Sequence, residues 1–198
     1  MPEEQPPETA VRQERTEARD SENQGSLAGV FNELRGWARD ILVAAVAAVL
    51  IVVFVVQPVK VEGTSMAPRL ADQERIFVSK LSYRFSNIER GDIVVFWYPR
   101  NPAKSFIKRV IGIPGETVQI KGGVVFVNGR RLEEPYLRPE YLDHDYHTAK
   151  VPEDQFFVLG DRRNSSNDSR NWGCVPRRNI FGKAVFRYWP VSKAGMIE

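Results

Sequence analysis

Histidine and cysteine are almost missing from this chain of 198 residues, which holds two of the first, His144 and His147, and one of the second, Cys174. A single cysteine excludes an intrachain disulfide and any Cys-rich zinc site, so neither can hold the fold together. Both histidines sit in the polar run Asp143-His144-Asp145-Tyr146-His147, which reads as a solvated loop, since a reactive imidazole needs an orienting partner. Counting alone therefore argues against a Ser-His-Asp hydrolase. Length leaves room for one ordinary domain plus something small. The 42% hydrophobic and 27% charged content is that of a globular protein, and a mean hydropathy of -0.35 excludes a chain made mostly of membrane spans.

Those averages conceal a division. Residues 1 to about 26 are rich in charge and proline and nearly devoid of apolar side chains, too few to repay the entropy of ordering, so a disordered tail is expected. Ile41 to Val56 then runs for sixteen residues without one polar side chain. As a helix it covers about 24 Å of the roughly 30 Å of hydrocarbon, and extension to Val59 closes the gap. No polar face recurs at a period near 3.6, which argues against a buried core helix. The small residues Ala44, Ala45, Ala47 and Ala48 lie inside the run rather than at its end, which argues against a cleavable leader. The division expected is a polar segment over 1–35, a transmembrane helix over 36–58 anchored by Trp37 and Arg39 and stopped at Pro58, and a globular domain over 59–198.

Residues 1–40 carry five Lys+Arg and nine Asp+Glu, leaving 23 against 16 and a net +7 for the rest. A basic domain beside a membrane suits contact with anionic lipid headgroups, and a merely solvated surface explains the charge equally well. Nucleic acid is not the expected partner, because no aromatic RNA-binding signature or recognition helix accompanies the cations. From Lys60 onward, short runs of valine, isoleucine and aromatics alternate with Gly, Pro and Asn. Val59–Val61, Arg75–Val78, Asp92–Tyr98, Phe106–Ile113, Thr117–Lys121, Val124–Val127, Phe156–Leu159 and Val185–Trp189 read as strands, with Gly122-Gly123 and Asn128-Gly129 as turns. The fold class expected is mainly β, an antiparallel domain preceded by one helix.

Three segments could carry chemistry. Gly63-Thr64-Ser65-Met66-Ala67-Pro68 places a serine in a sharp turn, which conformational preference alone also explains. In Phe106-Ile107-Lys108-Arg109-Val110-Ile111-Gly112-Ile113-Pro114-Gly115, adjacent cations on a strand must point to opposite faces, so one of them faces inward unless the strand is an edge. An inward Lys108 would lose proton affinity through burial and become a usable general base. The loop Gly160-Asp161-Arg162-Arg163-Asn164-Ser165-Ser166-Asn167-Asp168-Ser169-Arg170 sets Asp168 and Arg170 to pair locally and offers the Ser166 hydroxyl to a neutral amine, and a solvated loop would have the same composition.

In this order, downstream of one apolar run, the three segments resemble the bacterial type I signal peptidases over nearly all of residues 41–198. The resemblance implies a signal-peptidase-type β domain outside the cytoplasmic membrane, with the N-terminus cytoplasmic and a single pass. It implies a serine endopeptidase with a Ser/Lys dyad that cleaves signal peptides from secretory preproteins after a small-x-small motif, without metal or organic cofactor. Matched position by position, Ser65 corresponds to the nucleophile and, through its backbone N–H, to one oxyanion donor, and Lys108 corresponds to the general base. Ser166 matches a serine hydrogen-bonded to the lysine, and Asp168 and Arg170 match a bracing pair. Val61, Met66, Leu70, Phe106 and Ile107 align with residues lining shallow apolar substrate pockets. The chain departs from the common pattern at Gly63, where some members have a serine that supplies the second oxyanion donor, and at Arg69 and Arg162. A self-cleaving Ser/Lys repressor-type protease is disfavoured by the apolar run and by the lack of a DNA-binding helical domain, leaving a membrane-tethered, non-catalytic assembly protein as the alternative from another class. Cys174, with no second cysteine or nearby histidine, is expected to be buried as a small apolar residue.

Overall fold

The computed structural model describes residues 33–51, 54–141 and 145–197; the tail expected over residues 1–26 lies outside them, as does His144. Two compact units divide the chain at Leu50 and Ile51. In the first, residues 33–50 are helical (α1), and Ile41, Leu42, Val43, Val46, Val49 and Leu50 are all more than half exposed. Among the described residues no helix is long and apolar enough to cross a membrane. Arg35, Arg39 and Asp40 place charges in the first half of α1.

The expected helix over 36–58 does not reach its end. Val56–Lys60 forms a strand, β1, antiparallel to β2 (Arg75–Ser79), with Pro58 opposite Phe77. A neighbouring strand supplies the backbone partners there, and proline's missing N–H is tolerated in β1 because that strand ends the sheet.

The second unit is mainly antiparallel β, as its texture predicts. The large sheet has the order β1, β2, β11 (Ile180–Trp189), β3 (Ile93–Trp97), β4 (Ser105–Gly112), β9 (Gln155–Leu159), β10 (Val175–Pro176), with β12 (Gly195–Met196) on β11. The small sheet has the order β7 (Arg130–Arg131), β6 (Val124–Val127), β5 (Thr117–Lys121), β8 (Tyr146–Lys150). The hairpin between β5 and β6 turns at Gly122-Gly123, as expected. β8 corrects the loop expected around residue 147: Tyr146 pairs with Ile120 and packs on Phe157, so one anchored aromatic draws a polar segment onto the sheet while His147 stays exposed. Two short helices complete the unit, α2 (Ser82–Phe85) and α3 (Ser169–Trp172).

Two features of this topology position the site. β4 lies inside the large sheet, yet only part of it has two strand neighbours. Ser105 to Arg109 pair with β3, whereas pairing to β9 begins at Arg109, so among the described residues the edge of 105–108 that faces away from β3 has no strand partner. Among the described residues β1 likewise has an unpaired outer edge. The second feature is a buried cluster of Val61, Met66, Leu70, Ile76, Val78, Ile93, Val95, Ala184 and Ile197, into which the turn after β1 drops Met66 and Leu70, 1% and 0% exposed. Those side chains fix the serine between them and the strand. Leu70→Ala is expected to cost about 2–5 kcal/mol through the cavity it leaves, read as a lowered denaturant midpoint at unchanged slope.

Candidate active site

The segment from Val61 to Glu74 folds back on itself. The Val61 amide donates to the Glu74 carbonyl at 2.8 Å, the Gln73 amide to Val61 at 2.9 Å, and the Leu70 amide to Met66 at 2.8 Å. Gly63 takes a φ of +89°, in the left-handed region that favours glycine, and its amide donates to the Asp72 carboxylate at 2.8 Å, a bond that holds this carboxyl below its ordinary value. The Gly63 N–H is thus already engaged, and Gly63 offers no side-chain donor. Ser65 stands at the crest of this turn.

Lys108 reaches the same point from β4. Its Nζ lies 2.8 Å from the Ser65 Oγ and donates to the Ile107 carbonyl at 3.0 Å. The side chain is 4% exposed, and burial lowers its pKa from 10.5 to about 8, although the Asp168 and Asp161 carboxylates pull the other way. At pH 7 a pKa of about 8 leaves roughly one amine in ten neutral, against about one in three thousand for an unperturbed lysine. Of the two readings open for adjacent cations, one facing inward or both exposed on an edge, the structure gives neither: both are buried, because both faces of this interior strand are covered. Arg109, 3% exposed, grips Asp161, 0% exposed, through two bonds of 2.9 Å, and its guanidinium lies 3.9 Å from the Tyr136 ring. Paired in this way, Arg109 keeps its charge while Lys108, facing a hydroxyl, sheds its own readily.

The loop after β9 closes the site from a third direction. A Cβ on Gly160 would sit 2.6 Å from the Ser65 carbonyl oxygen and 2.6 Å from the Ser166 Cβ, so only glycine permits this approach. The Arg162 amide then donates to the Ser65 carbonyl at 3.0 Å. Asp168 and Arg170 pair as expected, with Nε and Nη2 of Arg170 at 2.8 and 2.9 Å, and Asp168 also accepts from the Gly160 amide at 3.1 Å, which ties the loop to the end of its strand. Ser166 departs from expectation: its Oγ is buried without a hydrogen-bond partner, and Lys108 bonds to Ser65 and Ile107.

Ser65 and Lys108 open onto a groove of about 430 Å³, walled on one side by Val59 to Thr64 and on the other by Ser105 to Ile107. Val61, Phe106 and Ile107 are among its lining residues. Met66 and Leu70 are not, because the helical bond between them turns both side chains down into the core. Among the described residues no three His, Cys, Asp or Glu side chains converge as a metal-ligating group. Cys174 is partly buried and burial raises its thiol to about 11, so it is protonated and unreactive at neutral pH. Sequence reasoning gave no role to Asp161 and Arg163, which are buried, to Glu134, whose side chain is 6% exposed, or to the half-buried Tyr136; the second cation at 109, next to Lys108, was the one hint that an acid had to meet it.

A serine hydroxyl in contact with a buried amine of lowered proton affinity, beside a groove walled by strand edges, is equipped for acyl transfer. Residues 34–189 match the family described as signal peptidase, peptidase S26, and the chain belongs to that family. It is 49% identical over 150 residues to the signal peptidase I of Leptolyngbya laminosa, covering 72% of this chain and 73% of that one. The signal peptidase I of Bacillus amyloliquefaciens is 40% identical over 167 residues, 79% of this chain and 89% of the relative. A crystal structure of a signal peptidase I from Enterococcus faecalis aligns with a TM-score of 0.46 at 35% identity, over 50% of this chain and 97% of that one.

Two outcomes follow from the geometry. Gly160→Ala forces the loop off the serine and should lower kcat by about 100-fold while leaving the sheet folded by circular dichroism. Lys108→Met removes both the candidate base and the cost of burying a cation. The folded pKa lies below the unfolded one, so that cost is fully present below about pH 8 and disappears as pH rises to 10.5. The variant should therefore be inactive yet at least as stable as wild type at pH 7, with its relative stability falling between pH 8 and 10.5 in denaturant titrations.

Proposed function

We propose that this protein is a membrane-anchored signal peptidase that cleaves N-terminal signal peptides from exported preproteins after a small-x-small motif, with Ser65 as nucleophile and Lys108 as general base. The observation that carries the reading is the 2.8 Å contact between Ser65 Oγ and a buried Lys108 Nζ in a chain of the S26 family.

The preprotein enters the groove as an extended strand. It adds to the free edge of residues 105–108 on one side and to the β1 end on the other, so backbone hydrogen bonds fix its register. Val61, Phe106 and Ile107 shape shallow apolar pockets that admit small side chains and reject bulk by shape. Neutral Lys108 takes the Ser65 proton as Oγ attacks the scissile carbonyl, and the Ser65 backbone N–H stabilises the oxyanion. The Lys108 ammonium then gives its proton to the leaving amine, which departs as the new N-terminus of the mature protein. Water, deprotonated by Lys108, hydrolyses the acyl-enzyme and regenerates the serine. Asp168 with Arg170 braces the loop that carries Ser166 against the Ser65 turn, while the Ser166 hydroxyl makes no bond to Lys108.

The apolar run beginning at Ile41 is the anchor, ending before β1, with the N-terminus cytoplasmic and the β domain outside. Its support is the row of exposed apolar side chains on α1, which have no core of their own. Tethering holds the site beside substrates that are themselves held in the bilayer, raising their effective concentration.

The test is a preprotein cleavage assay with the product N-terminus mapped. Wild type should cut after a small-x-small motif, while Ser65→Ala and Lys108→Ala should each lose at least about 1,000-fold. Full activity in either variant overturns the dyad.

A further inference from the structure

Behind the dyad, the connection after β7 brings the Glu134 side chain and the half-buried Tyr136 against a group of buried charges. Glu134, 6% exposed at its side chain, is paired with Arg163, 2% exposed, and also accepts from the Tyr136 hydroxyl at 2.7 Å. Tyr136 in turn lays its ring against the Arg109 guanidinium that holds Asp161. Arg163 donates through Nε to the Gly160 carbonyl at 3.0 Å, and its own carbonyl receives Arg170 at 2.6 Å. Both routes end on the loop that Gly160 presses against Ser65. A buried ion pair is weak evidence for stability, because desolvation offsets much of the attraction, so a geometric role is the better account of this one.

We infer that Glu134 is a positioning residue for signal-peptide cleavage: through Arg163 and Tyr136 it holds the 160–170 loop against the Ser65 turn and keeps Asp161 and Asp168 near Lys108. This rests on the Ser/Lys reading above. It adds a determinant from outside all three motifs, 29 residues from Arg163 in sequence. The groups that face the amine are Ser65 Oγ, the Ile107 carbonyl, the Phe106 ring, and the carboxylates of Asp161 and Asp168. Both carboxylates favour the ammonium, and Arg109 is neutralised by Asp161. Loosening the loop withdraws that negative field, so the amine gives up its proton at lower pH even as the serine loses its alignment.

The full-length protein in detergent micelles, cleaving a preprotein, supplies the test. Glu134→Gln should lower kcat by about 10- to 100-fold with KM within about twofold, and should move the acid limb of the kcat profile to lower pH. Tyr136→Phe keeps the ring on Arg109 but loses the bond to Glu134, and should show a smaller loss. Where Glu134→Gln does not fold, Glu134→Leu with Arg163→Met removes both buried charges; its thermal midpoint should return towards that of wild type while kcat stays low. Wild-type kcat and an unmoved acid limb in the folded variants overturn the inference while the dyad stands. A Ser65→Ala protein that still cleaves overturns the dyad, and the inference with it.

Discussion

Everything at this site depends on one arrangement, a lysine amine buried on an interior strand with a serine hydroxyl in hydrogen-bond contact. Burial makes the charged form costly, and two nearby carboxylates keep that cost from driving the proton off altogether. The balance leaves Lys108 near pH 8, where a useful fraction is neutral and the conjugate acid can still protonate a leaving amine. A histidine would sit in this range without help. The chain instead uses the fold to bring a lysine there, which explains how a hydrolase can manage with two histidines, one on an exposed strand position and the other outside the described residues.

The rest of the domain is organised around that constraint. Met66 and Leu70 pin the serine turn to the core, Gly160 allows a loop backbone to close on the serine, and the Arg109–Asp161 pair neutralises the second cation on the same strand. β4 performs two tasks at successive positions. Its first half has one edge without a strand partner among the described residues, the edge proposed to receive the substrate, and its second half is paired to β9, which delivers the closing loop. The transition falls at Lys108 and Arg109, so the proposed base stands where pairing to β9 begins.

Much of the fold was legible because strand segments of valine, isoleucine and aromatics are bounded by Gly, Pro and Asn, and because Gly122-Gly123 dictates a tight hairpin. The boundary at Val56 was not legible: an apolar run continues through it, and only the presence of β2 as a partner turns those residues into a strand. Nor was β8, whose polar composition is overridden by Tyr146 packing on Phe157. At the site, Ser65, Lys108 and the Asp168–Arg170 pair could be picked out because three local motifs in order resemble those of a known family, whereas each segment alone left a conformational or solvated reading open. Glu134 and Tyr136 could not, since their partners lie tens of residues away and nothing in their own segment signals a buried charge. Met66 and Leu70 show the converse error, where alignment with substrate-lining positions hid side chains that a helical turn buries.

The central claim concerns the protonation of one amine, and direct titration of Lys108 by NMR tests it most closely. With the lysine ε-carbons labelled, and Lys108→Met used to assign the resonance, the account predicts a single lysine titrating near pH 8 while the others titrate in the ordinary range. A Lys108 signal that titrates with those others, near 10.4, would contradict it.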